Sequence, residues 1–344
     1  MKHYNIPIFI NHIGCPNSCV FCNQEKINGI ETDITPKEVK KIIEEYLEFL
    51  PETGHKEVAF FGGTFTGISF ELQNEYLKIV KPFIDSKKIN GIRISTRPDS
   101  INQDILDQLK YYGVKVIELG VQSLNQKVLD LTERNYLVEE VENASKLIKK
   151  NNIKLGIQLM IGLPGSNSEI EYETAKKTIN LKPDMVRIYP ALVLKDTKME
   201  EMYRDGTYTP LTLEESVKIG TKIYSMIETE DIEIIRVGLQ PSEDLRKEGI
   251  IVAGPFHPAF RELLEGEIYY EFLKKINSKK LEILEVIANE KNISKIVGIK
   301  GINKIRLKEL RIKIDNNLRL DEFLINGKRY TRKNILNSME EKWK

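Results

Sequence analysis

The sequence predicts an α/β fold: a partial barrel of six βα units followed by a small α+β unit near the C-terminal end. Three observations predict it. Short apolar runs alternate with amphipathic segments six times before about residue 230. A Gly-rich or polar signature follows each apolar run. After residue 240 the alternation stops and the charge balance changes sign. Near-continuous apolar strands alternating with helices mean a parallel sheet covered by helices. Six repeated units point to a barrel or partial barrel more than to an open doubly wound sheet.

The elements follow in order. "YNIPIFINHIG" reads as the first strand. "TPKEVKKIIEEYLEFL" reads as a helix, with Thr35 as N-cap, Pro36 at the first helical position and Glu38 completing a capping box. "EVAFFGG", "GIRISTR", "VKVIELGVQ", "KLGIQLMIGLP" and "MVRIYPAL" read as strands two to six, each followed by an amphipathic helix. Gly113 sits where the helix "INQDILDQLKYY" must end, and "IEIIRVGL" reads as one further strand. In such folds the chemistry sits at the C-terminal ends of the strands. The cysteines follow the first strand, then "GGTF", "STRPD", "GVQS", "GLPG" and "YPAL" follow the next five.

The predicted division is a barrel over 1–240, a Gly/Pro-rich loop and helical connector over 241–278, and a basic α+β unit over 279–344. That last unit holds 17 Lys/Arg against 9 Asp/Glu, a balance of +8, while the rest of the chain carries −7. The net charge is only +1, so a partner signal lies in this asymmetry and not in a global field. Hydrophobic residues are 41% and charged residues 30%, an ordinary globular composition. No stretch approaches the ~18 apolar residues of a membrane span, and the opening run is too short for a signal segment. The expectation is a cytoplasmic protein with no membrane partner.

All three cysteines, Cys15, Cys19 and Cys22, stand in "IGCPNSCVFCNQ". An odd, clustered set is a poor disulfide framework. C-x3-C-x2-C suits an iron–sulfur cluster better than a structural zinc, which wants four ligands. A Cys3His zinc site using His12 and a buried structural trio are the alternatives. Three thiolates on a 4Fe–4S cluster leave one iron open for chemistry. Phe21 would shield the cluster or serve as a core aromatic.

C-x3-C-x2-C with an aromatic before the third Cys, after the first strand of a βα barrel, resembles the radical S-adenosylmethionine (SAM) superfamily. "FFGGTFTG", "ISTRPDSI", "IELGVQSLNQKVLDLTERNY", "MIGLPGS" and "RIYPALVLKDTKMEEMYRDGTYTPLTLEESV" resemble, in order, the Elongator catalytic-subunit group, over roughly residues 5–240. A looser similarity extends to the oxygen-independent coproporphyrinogen dehydrogenases. The resemblance implies a radical SAM barrel whose cofactors are a 4Fe–4S cluster, held by Cys15, Cys19 and Cys22, and SAM, cleaved to a 5′-deoxyadenosyl radical. It also implies a one-electron donor such as flavodoxin or ferredoxin.

Carried over residue by residue, it places Gly62, Gly63 and Thr64 at the SAM amino group, where glycines allow close backbone approach. A tight βα turn is the alternative. Gln122, Ser123 and Arg134 stand where the SAM carboxylate and ribose region are held; Arg pairs bidentately with carboxylates. A surface ion pair with Glu133 or Glu139 is the alternative for Arg134. Ser95 and Gln158 stand at positions that are acidic in the coproporphyrinogen enzymes, and both can still hydrogen-bond hydroxyls. Arg97, Tyr189 and Lys195 are the candidates for the substrate side, with Arg97 able instead to pair with Asp99 and Tyr189 able to be core. His257 in "GPFHPAF" either caps the cavity or makes a structural turn.

The Elongator group carries an acetyltransferase domain after its barrel. About 100 residues stand here instead, without a CoA-binding Gly loop, so acetyl-CoA chemistry is not carried over. "KLEILEVIANEKNISKIVGIKGINKIRLKELRIKIDNN" reads strand, helix, "GIKG", helix, strand. This resembles a KH-like RNA-binding unit, whose G-x-x-G loop clamps nucleic-acid backbone. Gly298 and Gly301 would let the backbone approach, and Lys295, Lys300 and Lys304 would neutralise phosphates. A basic cap on the barrel is the alternative. The leading expectation is a radical SAM enzyme that modifies tRNA or rRNA. The alternatives are a radical SAM enzyme acting on a tetrapyrrole or other metabolite, and a non-catalytic protein that binds a cluster and RNA.

Overall fold

The computed structural model describes residues 2–10, 12–16, 18–23, 34–239, 245, 247–279 and 281–343. Parts of the cysteine loop and of the predicted connector, including 241–244 and 246, lie outside the described residues.

The strands are β1 (His3–Phe9), β2 (His55–Phe61), β3 (Gly91–Thr96), β4 (Val114–Gln122), β5 (Lys154–Ile161), β6 (Met185–Pro190), β7 (Val193–Leu194) and β8 (Glu233–Val237). Seven of them form one parallel sheet in the order β1-β2-β3-β4-β5-β6-β8. Strands β1 and β8 stand at its two edges, so the sheet curls without closing. This is the predicted partial barrel, with β8 as a seventh strand. Parallel neighbours require crossover connections. These contain α1 (Pro36–Phe49), α2 (Phe70–Asp85), α3 (Gln103–Tyr111), α4 (Gln126–Leu131), α5 (Val138–Lys150), α6 (Ser168–Asn180), α7 (Lys198–Arg204) and α8 (Leu213–Thr229).

Local chemistry sets the helix ends. Thr35 accepts from the Glu38 amide and Glu38 reaches back to Thr35, the capping box read from sequence. Ser69, Asn102 and Asn167 each accept an amide at the start of a further helix, and Thr212 with Glu215 forms a second capping box. Gly113 takes φ +89° just past α3, as a C′ residue does. Helices α4 and α7 were not read from sequence, because runs of six and seven residues carry too little periodicity. A short antiparallel ribbon pairs β7 with β9 (Ile251–Ala253) over the sixth strand end.

The two faces of the sheet differ. Ile6, Ile8, Val58, Phe60, Ile92, Ile94, Ile117, Leu119, Ile157 and Ile188 are buried in one apolar core with the helices. Each such side chain contributes about 1.5–3 kcal/mol on full burial. Alternate residues face the concave side, and there Glu57, Arg93, Glu118 and Arg187 form a buried ion ladder. Arg93 donates to Glu57 Oε2 (3.0 Å) and to Glu118 Oε1 (2.8 Å). Arg187 donates to both Glu118 oxygens, with 3.0 Å to Oε1.

After β9, α9 (Phe260–Ile276) packs on α8. Then come β10 (Leu284–Ala288), α10 (Glu290–Val297), α11 (Ile302–Arg306), β11 (Leu310–Ile314), β12 (Glu322–Ile325), β13 (Lys328–Thr331) and α12 (Arg332–Trp343). The predicted strand–helix–helix–strand order is present. Strands β10 and β11 pair in parallel, and the sheet order is β11-β10-β12-β13. The hairpin β12–β13 was missed, although Asn326-Gly327 with φ +48° and +76° is a type I′ turn signal. This unit shares the apolar core of the barrel through Phe260, Leu264, Ile268, Ile296, Phe323 and Ile335. Arg332 on α12 grips Glu228 of α8 through two nitrogens, at 3.2 and 2.8 Å. Among the described residues no helix is long and apolar enough to cross a membrane.

The ion ladder yields a stability prediction. Glu118→Ala leaves two buried guanidinium groups without their shared acid, so it should cost about 3–5 kcal/mol. Urea unfolding monitored by circular dichroism measures this as a fall in the transition midpoint.

Candidate active site

Strands β1 and β2 run in direct register from His3↔His55 to Phe9↔Phe61. The loops that leave them therefore start at the same level and meet. Cys15 donates its amide to His12 O (3.1 Å) and Cys22 to Cys19 O (2.9 Å), so the cysteine loop is a pair of tight turns. Val20 N–H donates to Thr132 O (3.2 Å) and Met199 N–H to Val20 O (2.8 Å), which ties the loop to the fourth and sixth strand ends. Phe21 is half-buried against both Val193 and Met199 and the Val128–Leu163–Ala191 group, so it closes that side with apolar surface.

Glycines make the meeting possible. A Cβ on Gly14 would stand 2.2 Å from Thr64 O, and one on Gly67 would stand 2.2 Å from Gly14 O. One on Gly63 would stand 2.4 Å from Ile10 O and 2.6 Å from Ile13 O. Thr64 donates its amide to Ile13 O (3.0 Å), and its hydroxyl lies 3.2 Å from Cys15 Sγ. Burial pushes the Cys15 thiol up, and the Thr64 contact partly offsets this.

Arg134 is buried, not paired with Glu133 or Glu139. It donates to Cys19 Sγ (3.1 Å), to Gly120 O and to Tyr136 Oη (3.3 Å). Burial opposes its charge, but Tyr136 and Cys19 outweigh that and hold its pKa above the ordinary Arg value. Arg97 donates to both Asp99 oxygens (2.9 and 2.7 Å) and to Arg134 O (2.6 Å). The two guanidinium groups lie 5.2 and 5.1 Å from the Tyr136 ring centroid. Arg97 Nη1 is buried with no hydrogen-bond partner among the described residues.

Family models agree with this assembly. The Radical SAM superfamily model matches residues 12–177, and the Radical_SAM C-terminal domain model matches residues 183–270. An uncharacterized protein of Methanocaldococcus jannaschii is 35% identical over 223 residues, which are 61% of this chain and 67% of that protein. The chain belongs to the radical SAM superfamily. A tRNA uridine(34) acetyltransferase of the same organism is 32% identical over 197 residues, 50% of this chain but only 36% of that protein. The archaeal Methanocaldococcus infernus Elp3 structure, with an N-terminal deletion, superposes with TM-score 0.61 at 24% identity, over 81% of this chain and 63% of that one. The chain thus spans about a third of the acetyltransferase it matches. It is a radical SAM enzyme, and the cofactors of that superfamily are a 4Fe–4S cluster and SAM.

The residues fit these groups. Cys15, Cys19 and Cys22 stand on one loop, with the Thr64 hydroxyl at Cys15 Sγ and Arg134 at Cys19 Sγ, a thiolate donor set that suits an iron–sulfur cluster. The unpartnered Arg97 donor fits an acceptor from outside the protein, such as a carboxylate.

The other sequence candidates fall around the radical SAM mouth. Gln122 takes φ +67° at a register shift of β4, which turns its side chain to within 3.4 Å of the Gln158 amide. Ser95 is half-buried at the end of β3. Ser123 contacts Thr174 (3.4 Å) and accepts from the Asn125 amide (3.2 Å), the pattern of a turn residue. Tyr189 accepts from Arg187 (3.3 Å) at the top of the ion ladder. Lys195 is exposed on the ribbon loop. His257 Nδ1 accepts the Ala259 amide (3.1 Å), which is a structural turn.

Near the C-terminal end, Gly298 is buried, and a Cβ on Gly266 of α9 would lie 3.3 Å from its Cα. Lys295 pairs with Glu265 (2.8 Å), so its charge is already engaged. Lys300, with φ +53°, and Lys304 are exposed, and Gly301 has open space beside it. The outward part of the loop is therefore Lys300, Gly301 and Lys304.

Sequence reasoning missed Glu171. It is buried below the "GLPG" loop, where one oxygen accepts from the Gly162 amide and the Ser166 hydroxyl, both at 2.7 Å. Burial pushes its pKa up to about 7. A helical acid ten residues past a strand end gives no periodic signal. The sign follows: between its ordinary pKa of about 4.3 and 7 the folded chain holds a proton that the unfolded chain has lost. This part of the stability is present below the ordinary pKa and falls as pH rises to 7. The slope is about 1.4 kcal/mol per pH unit, and Glu171→Gln should flatten it in unfolding curves taken from pH 5 to 7.

Proposed function

We propose that this radical SAM enzyme cleaves SAM to modify RNA, most directly a tRNA base, in the cytoplasm. The observation that carries the substrate class is the likeness to tRNA uridine(34) acetyltransferases, at 32% and 24% identity over 197 and 239 residues. The exposed Lys300-Gly301-Lys304 face and the basic excess of 279–344 support it, since phosphate contacts supply most non-specific affinity for RNA.

The roles in this reading draw on the resemblance and on the contacts around the cysteine loop. Cys15, Cys19 and Cys22 hold the cluster, and Thr64 and Arg134 fix two of those sulfurs. Bound there, the cluster would supply the electron, received from a flavodoxin- or ferredoxin-like donor, for reductive cleavage of the SAM sulfonium bond. Arg97 offers its unpartnered donor to the SAM carboxylate. Gly62 and Gly63 keep the backbone low beside the cysteine loop, while Ser95, Gln122 and Gln158 offer hydrogen bonds to ribose hydroxyls. Phe21 and the barrel walls exclude water, and Tyr189 and Lys195 stand on the substrate side.

Two measurements test this. Arg97→Gln should weaken SAM binding at least tenfold in anaerobic calorimetry while iron content stays at the parent level; unchanged affinity removes Arg97 from the SAM site. Nucleoside mass spectrometry of RNA from a deletion strain should lack one modified base. An unchanged profile, with 5′-deoxyadenosine still released by the reduced enzyme, would move the substrate to a small molecule.

A further inference from the structure

His3 and His55 are direct register partners on β1 and β2. Their rings meet edge to face with centroids 4.8 Å apart. Both direct Nε2 at one carboxylate: His3 lies 3.0 Å from Glu57 Oε2 and His55 lies 3.1 Å from Glu57 Oε1. Among the described residues this is the only trio of such groups whose ligand atoms lie within 4.8 Å of one another. The chain has four histidines, so half of them converge on one acid.

We propose that His3, His55 and Glu57 bind a divalent transition-metal ion of the zinc class. The site lies at the N-terminal end of the strands, opposite the cysteine loop. Two imidazoles and one carboxylate are a donor set that such ions take, with room for water. The burial pattern suits uptake from solvent. Glu57 is 3% exposed in its side chain, while His3 and His55 are 43% and 39% exposed. The anion is fixed inside and the imidazoles form the entrance. Arg93 holds Glu57 Oε2 at 3.0 and 2.9 Å, which orients the carboxylate and leaves Oε1 toward His55. Partners of this kind fix ligating carboxylates in metal sites. The charge of Arg93 is shared with Glu118, which limits its repulsion of the ion. Binding needs no redox change: an Nε2 that carries a proton releases it, to Nδ1 or to solvent, and gives its lone pair to the ion.

The consequence is mechanical. An ion here ties the first residues of β1 and β2, whose far ends launch the cysteine loop and Gly62–Thr64. It would hold the register on which that meeting depends.

The test uses the cluster-loaded full-length protein, so that the cysteines are occupied. Anaerobic titration with Zn²⁺ should show one ion per chain and a rise in Tm. H3N/H55N, which keeps side chains able to bond Glu57, should weaken binding at least tenfold with the cluster absorbance unchanged; H55Q alone should weaken it less. X-ray absorption of the bound zinc should show imidazole and oxygen scattering. Failure to bind an ion, equal binding by H3N/H55N, or a sulfur shell around the zinc would overturn the proposal.

Discussion

The arrangement rests on the ion ladder inside the curled sheet. Glu57, Arg93, Glu118 and Arg187 come from four different strands and are buried or nearly so. Burial alone would raise the two carboxyl pKa values, but the Arg charges outweigh it and hold both below the usual carboxylate range. Such a ladder is a doubtful source of net stability, because removing charges from water costs several kcal/mol per ion. Its stronger effect is on alternatives. A one-residue slip of any strand would turn a charge into the apolar helical layer and strand its partners. The ladder therefore selects one register, and the register sets which loops meet at the strand ends.

Those loops tolerate little displacement. Gly14, Gly63 and Gly67 pass so close to neighbouring carbonyls that no side chain could intervene. Above them Tyr136 lies between Arg97 and Arg134, and its hydroxyl donates to Val121 O (2.8 Å). The two Arg residues thus differ in consequence. Arg134 has its donors engaged by Cys19, Gly120 and Tyr136 and acts on the cysteine loop. Arg97 keeps one donor without a partner among the described residues.

Much of this was legible. The alternation of apolar runs and amphipathic helices located every strand of the large sheet, and the cysteine spacing marked the loop that meets Gly62–Thr64. Even the ladder is written in the sequence: Arg93 in "GIRIST", Glu118 in "VIELG" and Arg187 in "MVRIYP" are lone charges inside apolar strands. What stayed hidden depends on distance in space. The pairing of His3 with His55, the burial of Glu171 and the different fates of Arg97 and Arg134 join residues whose separation along the chain carries no pattern. The role of Gly63 shifted for the same reason. Its missing side chain reads as room for a ligand, yet the space is filled by the backbone of the cysteine loop.

The C-terminal unit shows how attachment and recognition compete for the same charges. Its basic excess reads as a surface for phosphate, but part of that charge is turned toward the barrel. Lys295 pairs with Glu265, Arg306 with Glu267 and Arg332 with Glu228. These bonds join α10, α11 and α12 to α8 and α9, alongside the aromatic contacts of Tyr269 with Phe323 and Phe272 with Tyr330. Charges engaged in that way fix the unit against the barrel and leave fewer for a polyanion. The exposed Lys300 and Lys304 then stand on a loop whose base, Gly298, packs on α9. Under the proposed function, a loop anchored on one side and open on the other would hold an RNA backbone at a fixed position relative to the barrel.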